Sequence, residues 1–395
     1  MVHIAWLGKK SPFCGNVTYG LSTTEALRAR GHAVSFIHFD TPAGALGRHD
    51  SSAELHERRT GGPGDNPEVT LPYLVKSQVY TIPSPGAQRE LRESLERLRP
   101  DLVHASLTLS PLDFRLPDLC QQLGLPLVAT FHPAFDAGLR NLAGGTQQLT
   151  YQLYAPSLAR FDRVIVFSEL QADLLERLGV RRQRLAVIPN GVDIDTWAPA
   201  RSVSPELTEL QRRFADRRVF LYMGRVATEK NVEALLRAWR LVRPSGCVLV
   251  IVGDGPLRQA LQSGTEDDVL WWGYEADRAR RVALLQLAEV FLLPSLVEGL
   301  SLALLEAMAS GTACVATDAG ADGEVLAGGA GIVISTQGVT TQLRTLLPVL
   351  RDQPVLTAEL GRRARERVLE RYTLTRNIDS LEALYAQLTR QPLAA

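Results

Sequence analysis

Short, continuous apolar runs alternate with helical segments along almost the whole chain, and this alternation restricts the possible folds more than any other feature. His3–Gly8 reads HIAWLG, apolar at nearly every position, as in strands buried on both faces of a parallel sheet. Ser11–Gly20 reads as a turn-rich loop, Leu21–Arg30 as a helix closed by Gly31, and Ala33–Phe39 as a second strand. Strand-like runs follow at Val79–Pro83, Asp101–Ser106, Leu127–His132, Val164–Ser168 and Leu185–Pro189. Helical segments at Gln88–Leu98, Leu116–Leu123, Thr146–Arg160 and Glu169–Leu178 separate most of them. Thr196–Ser204 has no periodicity and reads as a linker, after which the pattern restarts. Strands are expected at Val219–Gly224, Val248–Gly253, Val269–Trp272, Val290–Leu293, Cys314–Thr317 and Gly331–Ile334. Helices are expected at Val232–Val242, Leu257–Leu261, Asp277–Leu287, Leu302–Ser310, Thr357–Glu370 and Thr375–Thr389. The simplest architecture is α/β, with two Rossmann-like doubly wound parallel-sheet domains facing a cleft.

Size and charge agree with that reading. The 395 residues, 45% of them hydrophobic, suffice for two cores. The 43 basic and 43 acidic side chains balance, so no global field points to nucleic acid. The N-terminus runs directly into a strand and does not read as a signal peptide. No window offers about 20 uninterrupted apolar residues, so any membrane association is expected to be peripheral, on the cytoplasmic side. Cys14, Cys120, Cys247 and Cys314 are scattered, as in a reducing compartment, and the seven histidines show no metal-ligand spacing. One segment, 41–71, is rich in Gly, Pro, Ser and charge; a loop of that length is either functional or disordered.

The chemistry concentrates in Phe291–Gly311, FLLPSLVEGLSLALLEAMASG. Glu298 stands just before a helix and Glu306 about two turns into it, which places the carboxylates about 10–12 Å apart along one side. Acidic side chains in such apolar sequence require a partner or a ligand. The amides of Gly299, Leu300, Ser301 and Leu302 lie between them at the positive end of the helix dipole, where a diphosphate can bind. Taken alone, the same residues could be a cap and a decorated helix face. Arg225, after one strand, and Lys230, at the start of the next helix, are two cations that could clamp a diphosphate or simply be solvated. Gly253 opens a tight strand-to-helix turn, a weak nucleotide signal by itself. Gly15 and Asn16 follow the first strand, where glycine permits close approach of a ligand.

The Glu-x7-Glu stretch with its Leu305–Met308 tail closely resembles the signature of retaining GT-B glycosyltransferases of family 4. The pair Gly224–Arg225 and Glu229–Lys230 matches that family's phosphate-binding Arg/Lys pair. The resemblance implies a GT-B fold, with an acceptor-binding domain at 1–195 completed by a returning C-terminal helix at 374–395, and a nucleotide-sugar domain at 196–373. It implies that Arg225 and Lys230 hold the leaving diphosphate, Glu298 the donor sugar and Glu306 the ribose. Gly15 and Asn16 would face the phosphates, His132 the donor sugar, and Gly273 and Tyr274 the base. Trp271 and Trp272 are expected in the core. Three departures stand out. Leu300–Ser301 replaces an aromatic residue and glycine, Asn231 replaces glycine, and Ala321 and Gly323 interrupt the turn ending in Glu324. Asn190–Asp193 matches a stretch near the hinge and is expected to be structural.

The implied reaction is sugar transfer with retention from a nucleotide diphosphate donor, UDP-galactose being the expected co-substrate, without a metal or cofactor. Stretches such as WLGKKSPFCGNVTY and ATFHPAFD are similar to bacterial-type digalactosyldiacylglycerol synthases, which implies a glycolipid acceptor, monogalactosyldiacylglycerol. Val69–Pro83 and Leu139–Phe161 supply apolar and aromatic sequence for peripheral membrane contact through the first domain; the alternative is a buried strand and a core helix. A monomer is expected. A soluble acceptor such as a sugar phosphate, a nucleotide-sugar epimerase of the same fold and a non-catalytic binding protein remain as competing readings.

Overall fold

The computed structural model describes residues 1–11, 15–40, 67–77, 80–134, 142–262 and 267–390. Cys14, Arg140 and residues 41–66 of the long segment lie outside them. The first half contains β1 (His3–Gly8), α1 (Gly15–Ala29), β2 (Ala33–Phe39), β3 (Val69–Leu71), β4 (Tyr73–Lys76) and β5 (Thr81–Pro83). It continues with α2 (Ala87–Leu98), β6 (Leu102–Ser106), α3 (Leu116–Leu123), β7 (Leu127–Thr130) and α4 (Leu142–Leu158). It ends with β8 (Arg163–Val166), α5 (Glu169–Arg177) and β9 (Leu185–Val187). The second half contains α6 (Pro205–Arg213), β10 (Arg218–Met223), α7 (Val232–Val242), β11 (Cys247–Val252), α8 (Arg258–Leu261) and β12 (Val269–Gly273). Next come α9 (Arg278–Leu287), β13 (Val290–Leu293), α10 (Leu302–Ala309), β14 (Ala313–Thr317), α11 (Asp322–Val325) and β15 (Ile332–Ile334). Three long helices close the chain: α12 (Val339–Asp352), α13 (Pro354–Arg371) and α14 (Leu374–Arg390).

The strands form a seven-stranded sheet ordered β3-β2-β1-β6-β7-β8-β9 and a six-stranded sheet ordered β12-β11-β10-β13-β14-β15. All pairings in both are parallel. Each order reverses beside the first strand of its half, as in doubly wound folds. This is the GT-B layout of two Rossmann-like domains.

Side-chain alternation along β1 supplies two cores in the first half. Ala5 and Leu7 join the core that includes Leu91, Leu119, Tyr151 and Leu175 from α2 to α5. Ile4 and Trp6 face the opposite way, toward Tyr19 and Leu27 of α1 and toward Ile378, Leu381, Leu384 and Tyr385 of α14. The final helix thus packs on the first sheet. A buried polar contact anchors it: His104 Nδ1 lies 2.5 Å from the Tyr385 hydroxyl and Nε2 lies 2.7 Å from Thr130 Oγ1. Burial pushes His104 down to about 3, so the ring is neutral. The chain crosses back at a bridge where Val192 N–H donates to the Tyr372 carbonyl and Leu374 N–H to the Val192 carbonyl, each at 2.9 Å.

Several expectations are corrected. The helix α1 begins at Gly15, inside the expected loop, and its buried positions include Gly20, Thr23 and Thr24, which blur an apolar period. The Val79–Pro83 run contributes only β5, which pairs antiparallel with β4 in a separate ribbon. Pro72, without an amide, marks the break between the sheet strand β3 and this ribbon. Tyr151 and Tyr154, grouped with a membrane-facing surface on sequence, are buried; their hydroxyls donate to the Pro133 carbonyl and to Asp113 Oδ2, both at 2.9 Å. Among the described residues, no helix is long and apolar enough to cross a membrane.

Candidate active site

The segments that follow β1, β7, β8 and β9 of the first sheet and β10, β11, β12 and β13 of the second face a shared cavity of about 920 Å³. From the second half it is lined by the turns after β10 and β11, by Tyr274, and by Glu298–Ala303 with Glu306; from the first half by Gly15, Asn16, His132, Phe167 and Asn190. The halves approach closely here, since a Cβ on Gly299 would lie 3.1 Å from the His132 carbonyl oxygen. Gly253, at φ +135°, passes so near Gly224 that a Cβ would lie 1.9 Å from the Gly224 oxygen. Only glycine fits there, and it draws the turns after β10 and β11 together.

The cations and carboxylates fall in this cavity. Lys230 Nζ donates to Glu298 Oε1 at 2.5 Å, and Ser295 Oγ donates to the same oxygen at 2.7 Å. Thr317 holds the Ser295 carbonyl at 2.5 Å, so the nearly buried Glu298 is fixed from three sides of the turn. Lys230 is reached through Asn231, whose φ of +52° is a left-handed conformation that asparagine tolerates. Asn231 Nδ2 also donates to the Pro294 carbonyl at 3.2 Å, which ties the Lys230 turn to the Glu298 turn and accounts for asparagine in a glycine-like place. Arg225 is more open, with its guanidinium 3.5 Å from Glu229.

Glu306 lies on α10 at 9% exposure; its carbonyl accepts from Ser310, and no described residue donates to its carboxyl. Burial pushes its carboxyl up to about 7, against the pull of Arg281 and Arg278. A ligand hydroxyl would supply the missing donor. His132 Nε2 lies 2.8 Å from Ser106 Oγ, which itself donates to Asn16 Oδ1 at 2.8 Å. Asn16 Nδ2 is committed to the Leu107 carbonyl at 3.1 Å, so Oδ1 must accept. The single serine proton is therefore spent on Asn16, His132 carries its proton on Nε2, and Nδ1 is left as an acceptor. Burial, assisted by Lys9, holds His132 down to about 3, so it stays neutral.

Sequence reasoning and geometry differ at four places. Gly273 is absent from the cavity wall; its carbonyl accepts from Gly253 N–H at 2.7 Å, while its neighbour Tyr274 does line the cavity. The Ser301 amide, expected to be free for a phosphate, donates to Asp322 Oδ1 at 2.9 Å. Glu324 lies off the wall and accepts from Leu170 N–H of α5 at 3.3 Å. Asn190, read as structural, lines the cavity and donates to the Leu300 carbonyl at 3.1 Å, linking the first half to the start of α10. Asp322 was not singled out; its signal was a lone acid in the small-residue turn AGADGE. Trp271 and Trp272 pack at the edge of the second core, half-buried. Among the described residues, no three His, Cys, Asp or Glu side chains are grouped as metal ligands would be.

Two sequence families match the chain in tandem. Residues 15–196 match "Glycosyltransferase Family 4" and residues 217–352 match "Glycosyl transferases group 1". An Escherichia coli UDP-Gal:alpha-D-GlcNAc-diphosphoundecaprenol alpha-1,3-galactosyltransferase is 26% identical over 54% of this chain and 57% of its own length. A Mycobacterium tuberculosis GDP-mannose-dependent alpha-(1-6)-phosphatidylinositol dimannoside mannosyltransferase is 28% identical over 70% of this chain and 71% of its own. The chain spans about half the length of the first curated relatives it matches, 39% and 57%. Among solved structures, Anabaena HepE in complex with UDP and glucose superposes with a TM-score of 0.75 at 18% identity, covering 98% of this chain and all of that one. With both halves matched in order and the two-sheet layout in place, the chain belongs to glycosyltransferase family 4.

Proposed function

We propose that this protein transfers a hexose, galactose, from a UDP-sugar to a lipid-borne sugar acceptor with retention at the anomeric carbon. The observation that carries the reading is the arrangement of Lys230, Glu298 and Glu306, whose carboxyl no described residue hydrogen-bonds, around one cavity that Arg225 also lines. Arg225 and Lys230 would take the diphosphate and Glu306 the ribose hydroxyls. Glu298 and His132 Nδ1 would accept from sugar hydroxyls and hold the ring. As the bond from the anomeric carbon to the phosphate oxygen breaks, the acceptor oxygen bonds to the same face. Its proton passes to the departing phosphate, whose charge Lys230 and Arg225 absorb.

The lipid acceptor is supported by the rim of the first half. On the β4–β5 ribbon, Leu74 is 65%, Val75 44%, Tyr80 45% and Ile82 39% exposed. The ribbon stands at the carboxyl ends of the first sheet, because Lys76 Nζ donates to the Phe39 carbonyl at 2.6 Å and Thr81 N–H to the Leu109 carbonyl at 3.4 Å. Exposed apolar side chains on this edge of the first half suit a substrate presented by a bilayer. The two relatives above also act, by their names, on lipid-linked acceptors, one of them with UDP-Gal. Within that class we propose monogalactosyldiacylglycerol as the acceptor, on the resemblance of the first half's sequence stretches to galactolipid synthases.

The test is incubation with UDP-galactose or UDP-glucose and monogalactosyldiacylglycerol in detergent, with mass spectrometry of the lipid. Addition of hexose from UDP-galactose, falling at least about 100-fold in Glu298→Ala and Lys230→Ala, is expected. Transfer to sugar phosphates with none to lipid would replace the acceptor and leave the donor site in place.

A further inference from the structure

Asp322 is completely buried behind the turn that carries Glu298. Its Oδ1 accepts from Ser301 N–H at 2.9 Å, and Oδ2 has no hydrogen-bond partner among the described residues. The loop leading to it is joined to the same turn at two more points. Ala321 N–H donates to the Gly299 carbonyl at 2.8 Å, and a Cβ on Gly320 would lie 2.1 Å from the Glu298 carbonyl oxygen. The loop from Gly320 to Asp322 is therefore the rear wall of the seat formed by Glu298, Gly299, Leu300 and Ser301. Burial and the neighbouring Glu298 charge push the Asp322 carboxyl well above the usual range, against the pull of Lys230.

At a helix start, backbone amides are the ready-made donors toward a ligand. Here the Ser301 amide is turned away from the cavity, while the Ser301 side chain remains on its wall and accepts from Leu304 N–H at 3.3 Å. We propose that Asp322 is a specificity-determining positioning residue. By engaging the Ser301 amide it removes one fixed donor from the sugar seat and so sets the preference between hexose epimers of the nucleotide donor. Glucose and galactose differ only in the direction of the C4 hydroxyl, and a fixed donor that reaches one orientation does not serve the other. Sites discriminate strongly through such polar contacts, because an unmatched buried group loses its hydrogen bond. The inference rests on the reading above that this cavity binds a UDP-hexose.

The experiment compares wild type, Asp322→Asn and Asp322→Val. Calorimetry gives the affinity for UDP, UDP-galactose and UDP-glucose, and turnover gives kcat/KM for the two sugars. Asp322→Asn keeps an acceptor for the Ser301 amide, and the ratio between the two sugars is expected to stay within about threefold of wild type. Asp322→Val releases the amide and is expected to shift that ratio by about tenfold or more, with UDP affinity changed less than about threefold. An apolar replacement of a buried carboxyl is often tolerated by the fold, and Asp322→Ala gives the same reading if valine does not fit. An unchanged ratio in a folded Val or Ala variant overturns the proposal. So does an equal loss of affinity for UDP and both UDP-sugars, which marks a merely structural role. If wild type binds UDP but neither sugar selectively, the epimer claim fails alone; if it binds no UDP, the donor reading fails and takes this inference with it.

Discussion

At the scale of single residues, the most informative group is Glu306, a carboxyl held near 7 by burial and given no hydrogen-bond donor by the described residues. A carboxyl raised in the native state keeps a proton that the unfolded chain has already lost between about 4.5 and 7. Its burial therefore lowers stability as pH rises through that window, approaching about 3 kcal/mol above it. A ribose that donates to the ionised group reverses the preference. UDP binding should then release a proton, and its Kd should weaken up to about tenfold per pH unit below 7. Isothermal calorimetry in buffers of different ionisation enthalpy reads both effects. Glu306→Gln should bind UDP more weakly and keep only the slope that the terminal phosphate of UDP, with its pKa of about 6, contributes by itself; a slope as steep as that of wild type would take the ribose away from Glu306. His132 adds no slope in the working range, because it stays neutral down to about 3.

At the scale of elements, what could be read from sequence followed the strength of the period. Most strands of both sheets are legible because parallel strands buried on both faces are unbroken apolar runs, as in Cys247–Val252 and Val290–Leu293, whereas β3, only three residues at the end of the segment read as a loop, is not. The α6 helix was passed over although Ser204 caps it and Pro205 opens it, because Leu207 and Leu210 alone make a short stripe. The α12 helix was passed over although Val339, Leu343, Leu347 and Leu350 form a regular buried face, because Pro348 inside it reads as a breaker. In the site, spacing alone leaves the charged pairs Arg225–Lys230 and Glu298–Glu306 open between a ligand site and solvated or capping side chains, and the family resemblance is what points to them; all four line the cavity. Asp322 and Asn190 were not legible, since their roles arise from contacts 21 and 110 residues away in sequence. The β4–β5 ribbon carries its own prediction. Leu74→Asp with Ile82→Asp changes only exposed side chains, so the melting temperature should stay within about 2 °C while pelleting with galactolipid vesicles falls several-fold. Unchanged pelleting would move the membrane contact elsewhere, for example to the exposed Leu149 and Leu153 of α4.

At the scale of the whole molecule, the two halves meet at the cavity and again where the chain crosses back. Gly191 is the tight point of that crossing. A Cβ there would lie 2.6 Å from Leu374 Cα and 2.8 Å from the Thr373 oxygen, both backbone atoms that cannot swing aside. Gly191→Ala should cost about 1–3 kcal/mol in denaturant unfolding. It should also loosen Asn377, whose Nδ2 donates to the Pro189 carbonyl at 2.7 Å. A variant as stable as wild type would show that the crossing has slack that the geometry does not suggest.

The packing of α14 on the first sheet also bears on the order in which the molecule is made. A ribosome delivers Ile4, Trp6, Phe36 and Val128 early, but the side chains that cover them, Ile378, Leu381 and Tyr385, are translated only after the whole second sheet. The earliest-synthesised half therefore waits with one greasy face open while its partner folds, a period in which chaperones or self-association compete for it. For the same reason a cut in the 196–204 linker does not yield two self-sufficient pieces: the front fragment would lack its own lid, and the rear fragment would carry a helix made for another sheet.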